Sequence, residues 1–259
     1  MKVVILAGGF GTRLSEETLS KPKPMVEIGN KPIIWHIMKQ YSYYGFNDFI
    51  ICLGYKGNII KEYFSESLTY KSNRTSDYEN EYIEELIYHD GLDTWRITLV
   101  DTGLNTMTGG RLKRIKPILN EKEFLVTYGD GVSNINIKDL VRYHQKHGKT
   151  VTISTTRPQN QFGILKIDNT NKVTEFREKP KSEDWINSGF FVMNSKVFDY
   201  IEGDETVFEE APLSKLAFEG QLIAYKFQGF WHPMDTMNDK KILENLWKNN
   251  HAPWCIWNE

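Results

Sequence analysis

The sequence predicts an α/β domain built on a doubly wound, mostly parallel sheet, and three observations predict it. Short apolar runs end at glycine, as at Lys2 to Ala7 before Gly8-Gly9 and at Phe124 to Tyr128 before Gly129. Unbroken apolarity over so few residues marks a strand buried on both faces. Helical periodicity lies between such runs, as crossovers between parallel strands require. After Gly163 the strand-like stretches crowd together, so a mixed half follows the regular one.

The elements follow in order. Lys2 to Ala7 is the first strand. Ile33, Ile34, Ile37, Met38 and Tyr41 recur at helical spacing, with Pro32 suited to the first turn and Gly45 to the C-terminal cap. Asp48 to Leu53 reads as the second strand and Asn58 to Tyr63 as the start of the next helix. Ser65 to Leu92 breaks the rhythm with a polar stretch, SNRTSDYENEYIEEL, expected to be a mobile active-site loop. Trp95 to Val100 restores a strand, Phe124 to Tyr128 is another, Ile137 to His147 is a helix and Val151 to Thr155 resumes the sheet. Gly163 to Val173 and Ser188 to Met193 are β-rich, and Asn238 to Trp247 is a helix. With no internal repeat or Pro-rich linker, one domain spans 1–259: a first lobe to about 150, a second over 151–235, and a C-terminal helix and tail over 236–259.

Composition narrows the function. Lys plus Arg number 32 and Asp plus Glu 34, so there is no overall basic field to gather a nucleic acid. Cys52 and Cys255 cannot build a disulfide framework or a closed zinc site, and they fit a reducing compartment. The apolar start is too short for a signal peptide, and no stretch approaches the ~20 residues that span a bilayer. A cytoplasmic protein without a membrane partner is the expectation. Aromatic residues reach 13%, and Trp231, Trp247, Trp254 and Trp257 gather toward the C-terminus, as at an interface or in a docked tail.

Leu6-Ala7-Gly8-Gly9-Phe10-Gly11-Thr12-Arg13-Leu14 lies where a strand ends, the edge where open α/β sheets bind ligands. Its glycines let the backbone approach a phosphate and aim N–H groups at it. A plain tight turn would account for one or two glycines but not for Arg13. Leu14 stands where a dinucleotide fingerprint needs its third glycine, and no P-loop motif occurs. Lys21-Pro22-Lys23-Pro24 follows, two lysines in a chain stiffened by prolines. Taken alone it reads as an exposed loop; after Arg13 it reads as phosphate binding.

Together LAGGFGTRL and KPKPMVEI closely resemble the signature of the sugar-nucleotidyltransferase family. LVDTG (99–103), MTGGRLKR (107–114), TYGDGV (127–132), EKP (178–180), GFF (189–191) and GFWHPMDT (229–236) resemble one branch of it, which transfers a cytidylyl group from CTP to glucose 1-phosphate. The resemblance runs over nearly the whole chain and is weakest from about 65 to 92. It implies a Rossmann-like nucleotidyltransferase sheet, with the first lobe holding the nucleotide and the second the sugar.

The resemblance also assigns roles. Asp130 and Asp235 match positions that hold a catalytic Mg²⁺; without it, Asp235 is equally a helix N-cap, and it is expected to serve both roles. Arg13 is assigned to the α-phosphate and leaving pyrophosphate, Lys23 to the nucleotide phosphates, and Lys179 to the sugar phosphate. Leu6, Ala7, Gly8, Gly9, Gly11, Thr12, Thr108, Arg111 and Gly129 would complete the nucleotide site. Arg111 is expected to satisfy cytosine's acceptors; otherwise it is a surface arginine in a basic run. Asn187 and Gly189 would line the hexose pocket. Ser188, where close relatives tend to show glycine, would trim that pocket. The pair His144 and His147 is read as exposed helix surface rather than a metal site, and Cys52 as core.

The product would feed deoxysugar or O-antigen-type polysaccharide synthesis. The relatives imply a homo-oligomer, a hexamer, for which the terminal aromatics Trp254 and Trp257 suit an interface. The competing readings are transfer with another nucleoside triphosphate or sugar 1-phosphate, and a non-catalytic nucleotide-sugar sensor.

Overall fold

The structure, a computed structural model, describes residues 1–66, 68–72, 83–91, 93–158 and 162–258. Its main sheet contains β1 (Val3–Leu6), β2 (Asp48–Leu53), β3 (Leu68–Ser72), β4 (Ile83–Asp90), β5 (Asp93–Asp101), β6 (Glu123–Tyr128), β7 (Val151–Thr156), β8 (Ile186–Asn194) and β9 (Leu222–Lys226). Their spatial order is β9-β7-β8-β6-β1-β2-β5-β4-β3. β4 and β8 run against their neighbours, and all other strands share one direction. The doubly wound, mostly parallel sheet expected from the sequence is the sheet observed.

Helices cover both faces: α1 (Ile33–Tyr43), α2 (Gly57–Glu66), α3 (Thr108–Arg114), α4 (Ile137–His147), α5 (Ala211–Phe218) and α6 (Met237–Lys248). The alternation along β1 shows why. Val3 and Ile5 enter an apolar cluster with Ile33, Ile37 and Tyr41 of α1. Val4 and Leu6 enter the opposite one, with Leu112 of α3 and Leu216 of α5. A strand apolar at every position is stable only between two such layers. The chain winds from β1 out through β2 and β5 and then returns to β6 on the other side of β1. Neighbouring parallel strands β1 and β6 therefore send their loops in opposite directions, which opens a crevice at their carboxyl ends.

The structure corrects several expectations. The interval 65–92 is not loop throughout. It holds β3 and β4, an antiparallel pair at the sheet edge, where Leu86 and Tyr88 enter the core on one face and Ile83 on the other, while interleaved glutamates hide the pattern in the sequence. The core of the expected mobile loop, 73–82, lies outside the described residues. α6 is capped by Thr236, in a reciprocal capping box with Asp239, and not by Asp235. His144 is buried, not exposed, because it continues the apolar face of Ile137, Leu140 and Val141. It meets Thr152 Oγ1 at 2.8 Å, and His147 meets the same hydroxyl at 2.8 Å.

The aromatic tail docks on its own chain. Trp254 is fully buried, and its indole N–H donates to His36 Nδ1 at 3.4 Å. His36 Nε2 contacts Ile28 O at 2.8 Å, and Trp247 and Trp257 also flank the imidazole. Burial lowers the His36 pKa from 6.5 to about 4. The unfolded chain therefore takes up a proton as pH falls through 6.5, while the folded chain resists until about 4. Stability present above pH 6.5 is lost progressively across that window, by about 3 kcal/mol from this group. The urea midpoint is expected to fall between pH 7 and pH 4.5, with a shallower fall in His36→Gln. An equally steep fall in the variant would place the titration elsewhere.

Candidate active site

A cavity of about 510 Å³ opens at the carboxyl ends of β1 and β6. Its floor is the loop after β1. Gly11 has φ +66°, and a Cβ there would stand 2.9 Å from Thr18 Cγ2, so glycine is required. Nothing among the described residues accepts from the N–H groups of Gly9, Phe10 and Gly11, which remain as donors for an anion. Gly8 serves another neighbour: a Cβ there would lie 2.1 Å from Arg111 Nη1.

Lys23 is carried in a 3₁₀ turn after Pro22 and is itself buried. Its Nζ lies 2.8 Å from Asp130 Oδ2 and 2.5 Å from Asp235 Oδ1. Arg13 Nη1 donates to the other oxygen of Asp235 at 3.0 Å from an exposed position. Burial opposes the Lys23 charge, but the two carboxylates outweigh it and hold the ammonium above its ordinary pKa. Lys21, two residues earlier, stays at the surface with Glu27.

The distant carboxylates meet through a small ladder. Gly131–Ser133 pairs with Trp231–Pro233 antiparallel, Pro233 opposite Gly131, and Met234 N–H donates to Asp130 O at 2.8 Å. Asp130 at the end of β6 and Asp235 before α6 are thereby brought to one ammonium. Because Thr236 takes the cap, Asp235 keeps both oxygens for the two cations.

Arg111 reaches the cavity from α3, with its guanidinium buried. Nη1 donates to Leu53 O, Thr102 Oγ1 and Gly103 O, and Nη2 to Gly8 O and Leu104 O, at 2.8–3.3 Å. Five protein acceptors ring it, so its evident work is to tie the β1, β2 and β5 loops into one cavity wall. Reading a base through either Nη would require sharing those donors.

The structure gathers Leu6, Ala7, Gly8, Gly9, Gly11, Thr12, Arg13, Lys23, Thr108, Arg111, Gly129 and Asp130 around this cavity, with Asp235 bound to its cations. It does not bring Lys179 there: that residue is exposed, with φ +42°. Asn187 and Gly189 lie one layer out, against Tyr128. Ser188 does not trim the pocket, since its hydroxyl meets Ser154 Oγ at 2.7 Å across the β7–β8 pair. Sequence reasoning missed Tyr128 and Glu205 in the wall. Tyr128 looked like the end of a core strand, and Glu205 sits in a stretch with no motif.

The pattern of the family described as Nucleotidyl transferase matches residues 2–239. The chain belongs to this nucleotidyl transferase family. It is 52% identical over 259 residues to the glucose-1-phosphate cytidylyltransferase of Salmonella typhi, covering 99% of this chain and all of that one. It is 43% identical over 258 residues to the probable glucose-1-phosphate cytidylyltransferase of Bacillus subtilis, covering 99% of this chain and 100% of the relative. Among solved structures, HddC from Yersinia pseudotuberculosis superposes with a TM-score of 0.69 at 24% identity, over 95% of this chain and 99% of that one. That likeness carries the fold. No helix among the described residues of this nucleotidyl transferase is long and apolar enough to cross a membrane.

Proposed function

We propose that this nucleotidyl transferase moves a cytidylyl group from CTP to α-D-glucose 1-phosphate, giving CDP-glucose and pyrophosphate. The observation that carries the reading is its 52% identity over the full length of both chains to an enzyme of that name. The second phosphate pKa of a sugar 1-phosphate lies near 6, so the attacking oxygen is anionic at neutral pH and needs no general base. Catalysis then rests on alignment and on neutralising charge at the α-phosphorus.

In this reading the N–H groups of Gly9 to Gly11 receive the triphosphate, Arg13 balances the α-phosphate and departing pyrophosphate, and Lys23 orients the nucleotide phosphates. Asp130 and Asp235 fit Mg²⁺, which takes one or two carboxylates and completes its shell with phosphate oxygens and water. They share one ammonium, so they stand near enough for a single ion to reach both. Among the described residues no third ligand of the His, Cys, Asp or Glu kind joins them. The ion would supply further charge neutralisation between the substrates. Lys179 is assigned to the sugar phosphate, from a loop that stands outside the cavity here, and Asn187 and Gly189 to the hexose side.

A homo-oligomer, a hexamer, belongs to the same proposal. The C-terminal aromatics no longer support it, since Trp254 is covered by its own chain. The hairpin Ile164–Ile167 and Val173–Arg177 does: Leu165, Ile167 and Phe176 leave 50–60% of their surface exposed. A monomeric mass by light scattering would remove this part.

The experiment is pyrophosphate release with Mg²⁺ from CTP, UTP and dTTP, each against glucose, galactose and mannose 1-phosphate. Release restricted to CTP with glucose 1-phosphate is expected. Release with another pair would overturn the specificity, and none, with nucleotide still bound, would favour a non-catalytic sensor.

A further inference from the structure

Behind the cavity wall runs a hydrogen-bond chain whose donors and acceptors can be assigned one by one. Phe208 N–H donates to Thr108 Oγ1 at 2.9 Å, and the Thr108 hydroxyl donates to Glu209 Oε2 at 2.5 Å. The Tyr128 phenol donates to Glu209 Oε1 at 2.5 Å. Asn187 Nδ2 donates to the Tyr128 oxygen at 3.2 Å, while Asn187 Oδ1 accepts from Gly189 N–H at 2.8 Å. Each hydroxyl thus accepts from an N–H and spends its own proton on the carboxylate. Both bonds converge on one carboxyl group, each at the short end of the range for an O–H donor.

Packing restrains the same ring. Gly189 has φ +83°, and a Cβ there would stand 2.7 Å from Tyr128 Cδ2. The ring lies against bare backbone on one side and its hydroxyl is tethered at the other end. Burial, and then the charge of Glu209, raise the phenol pKa, which keeps it a donor. Thr108 and Tyr128 both line the cavity, and Asn187 and Gly189 flank Tyr128 from β8. Glu209 itself lies behind them and joins the two sides.

We propose that Glu209 is a positioning residue for the sugar 1-phosphate: by receiving both hydroxyls it holds Tyr128 in the cavity wall, between the end that carries Thr108 and the end that carries Asn187, and so sets the room left for the hexose. This deepens the reading of the cavity as a nucleotidyl-transfer site and rests on it. Glu209→Gln keeps the shape but turns an amide N–H₂ toward one of two hydroxyl protons that have no other acceptor among the described residues. Tyr128→Phe removes a single oxygen and leaves the ring.

The test is steady-state kinetics of both variants and of the double variant, with calorimetric binding of CTP and of glucose 1-phosphate to the wild type. Each single variant is expected to raise KM for glucose 1-phosphate on the order of tenfold, with KM for CTP within about twofold. The double variant should be no worse than either single one, as for residues acting as a unit. Unchanged sugar KM in Tyr128→Phe and Glu209→Gln, independent losses that multiply, or a rise confined to CTP would each overturn the proposal. If Glu209→Gln does not fold, Tyr128→Phe alone decides. A wild type that binds neither substrate would bring down the functional reading, whereas a fully active wild type with indifferent variants would bring down only the role of Glu209.

Discussion

Lys23→Met is expected to lower kcat by on the order of 10³-fold while leaving the fold intact. The ammonium bridges Asp130 and Asp235 at 2.8 and 2.5 Å, and methionine keeps the unbranched stem without the ammonium. Two effects combine. The nucleotide phosphates lose a cation held in place by a proline-bounded turn, and the two carboxylates lose the charge that balances them, so they repel each other and any incoming phosphate. Asp235→Asn probes the other side, because it weakens the hold on both Lys23 and Arg13. In that variant the Mg²⁺ concentration giving half-maximal rate is expected to rise, because the proposed site loses one of its two anionic ligands. The measurement is pyrophosphate release over a Mg²⁺ series, with circular dichroism to confirm folding. Turnover within about threefold of wild type in Lys23→Met would remove this lysine from the chemistry.

Arg111→Met is expected to lose nucleotide binding and to cost roughly 3 to 5 kcal/mol of stability, since several buried acceptors lose their donor at ~1–3 kcal/mol each and water recovers part of the loss. Four backbone carbonyls and the Thr102 hydroxyl converge on this guanidinium. Gly8 and Gly54 leave it room: an added Cβ would approach Nη1 to 2.1 and 2.6 Å respectively. Lysine is no substitute, for a single ammonium cannot reproduce the fork. Urea unfolding and CTP calorimetry read the two effects separately. A variant of unaltered stability that accepts UTP as readily as CTP would restore the base-reading role as the main work of Arg111. A destabilised variant that keeps its base preference where it still binds would assign the residue to the wall.

Much of this was legible before any coordinates. The strands at Val3, Asp48, Phe124 and Val151 declare themselves because burial on both faces leaves no charged residue past the first position, only apolar side chains and small hydroxyls. The turn at Gly11 declares itself because a positive φ at a strand end is cheap only for glycine. Arg13, Lys23 and Asp130 stood out because cations and a carboxylate sit among residues that stiffen or bare the backbone. These are local demands, written in the neighbours of each residue.

Tertiary structure alone decided the rest. Asp130 meets Asp235 because Pro233 stands opposite Gly131 in a two-stranded ladder, and no spacing along the chain encodes that register. Thr236, and not Asp235, caps α6 because the reciprocal bond with Asp239 satisfies two backbone donors at once. Trp254 turns inward because a partner far along the chain, His36, accepts its hydrogen bond in an apolar layer. Glu209 had no signature at all, since an acidic residue before a helix is ordinary until sheet order places a phenol and a threonine hydroxyl against its two oxygens. Periodicity and backbone dihedrals act over a few residues and can be read in sequence, whereas hydrogen bonds between distant segments exist only once the strands have found their order.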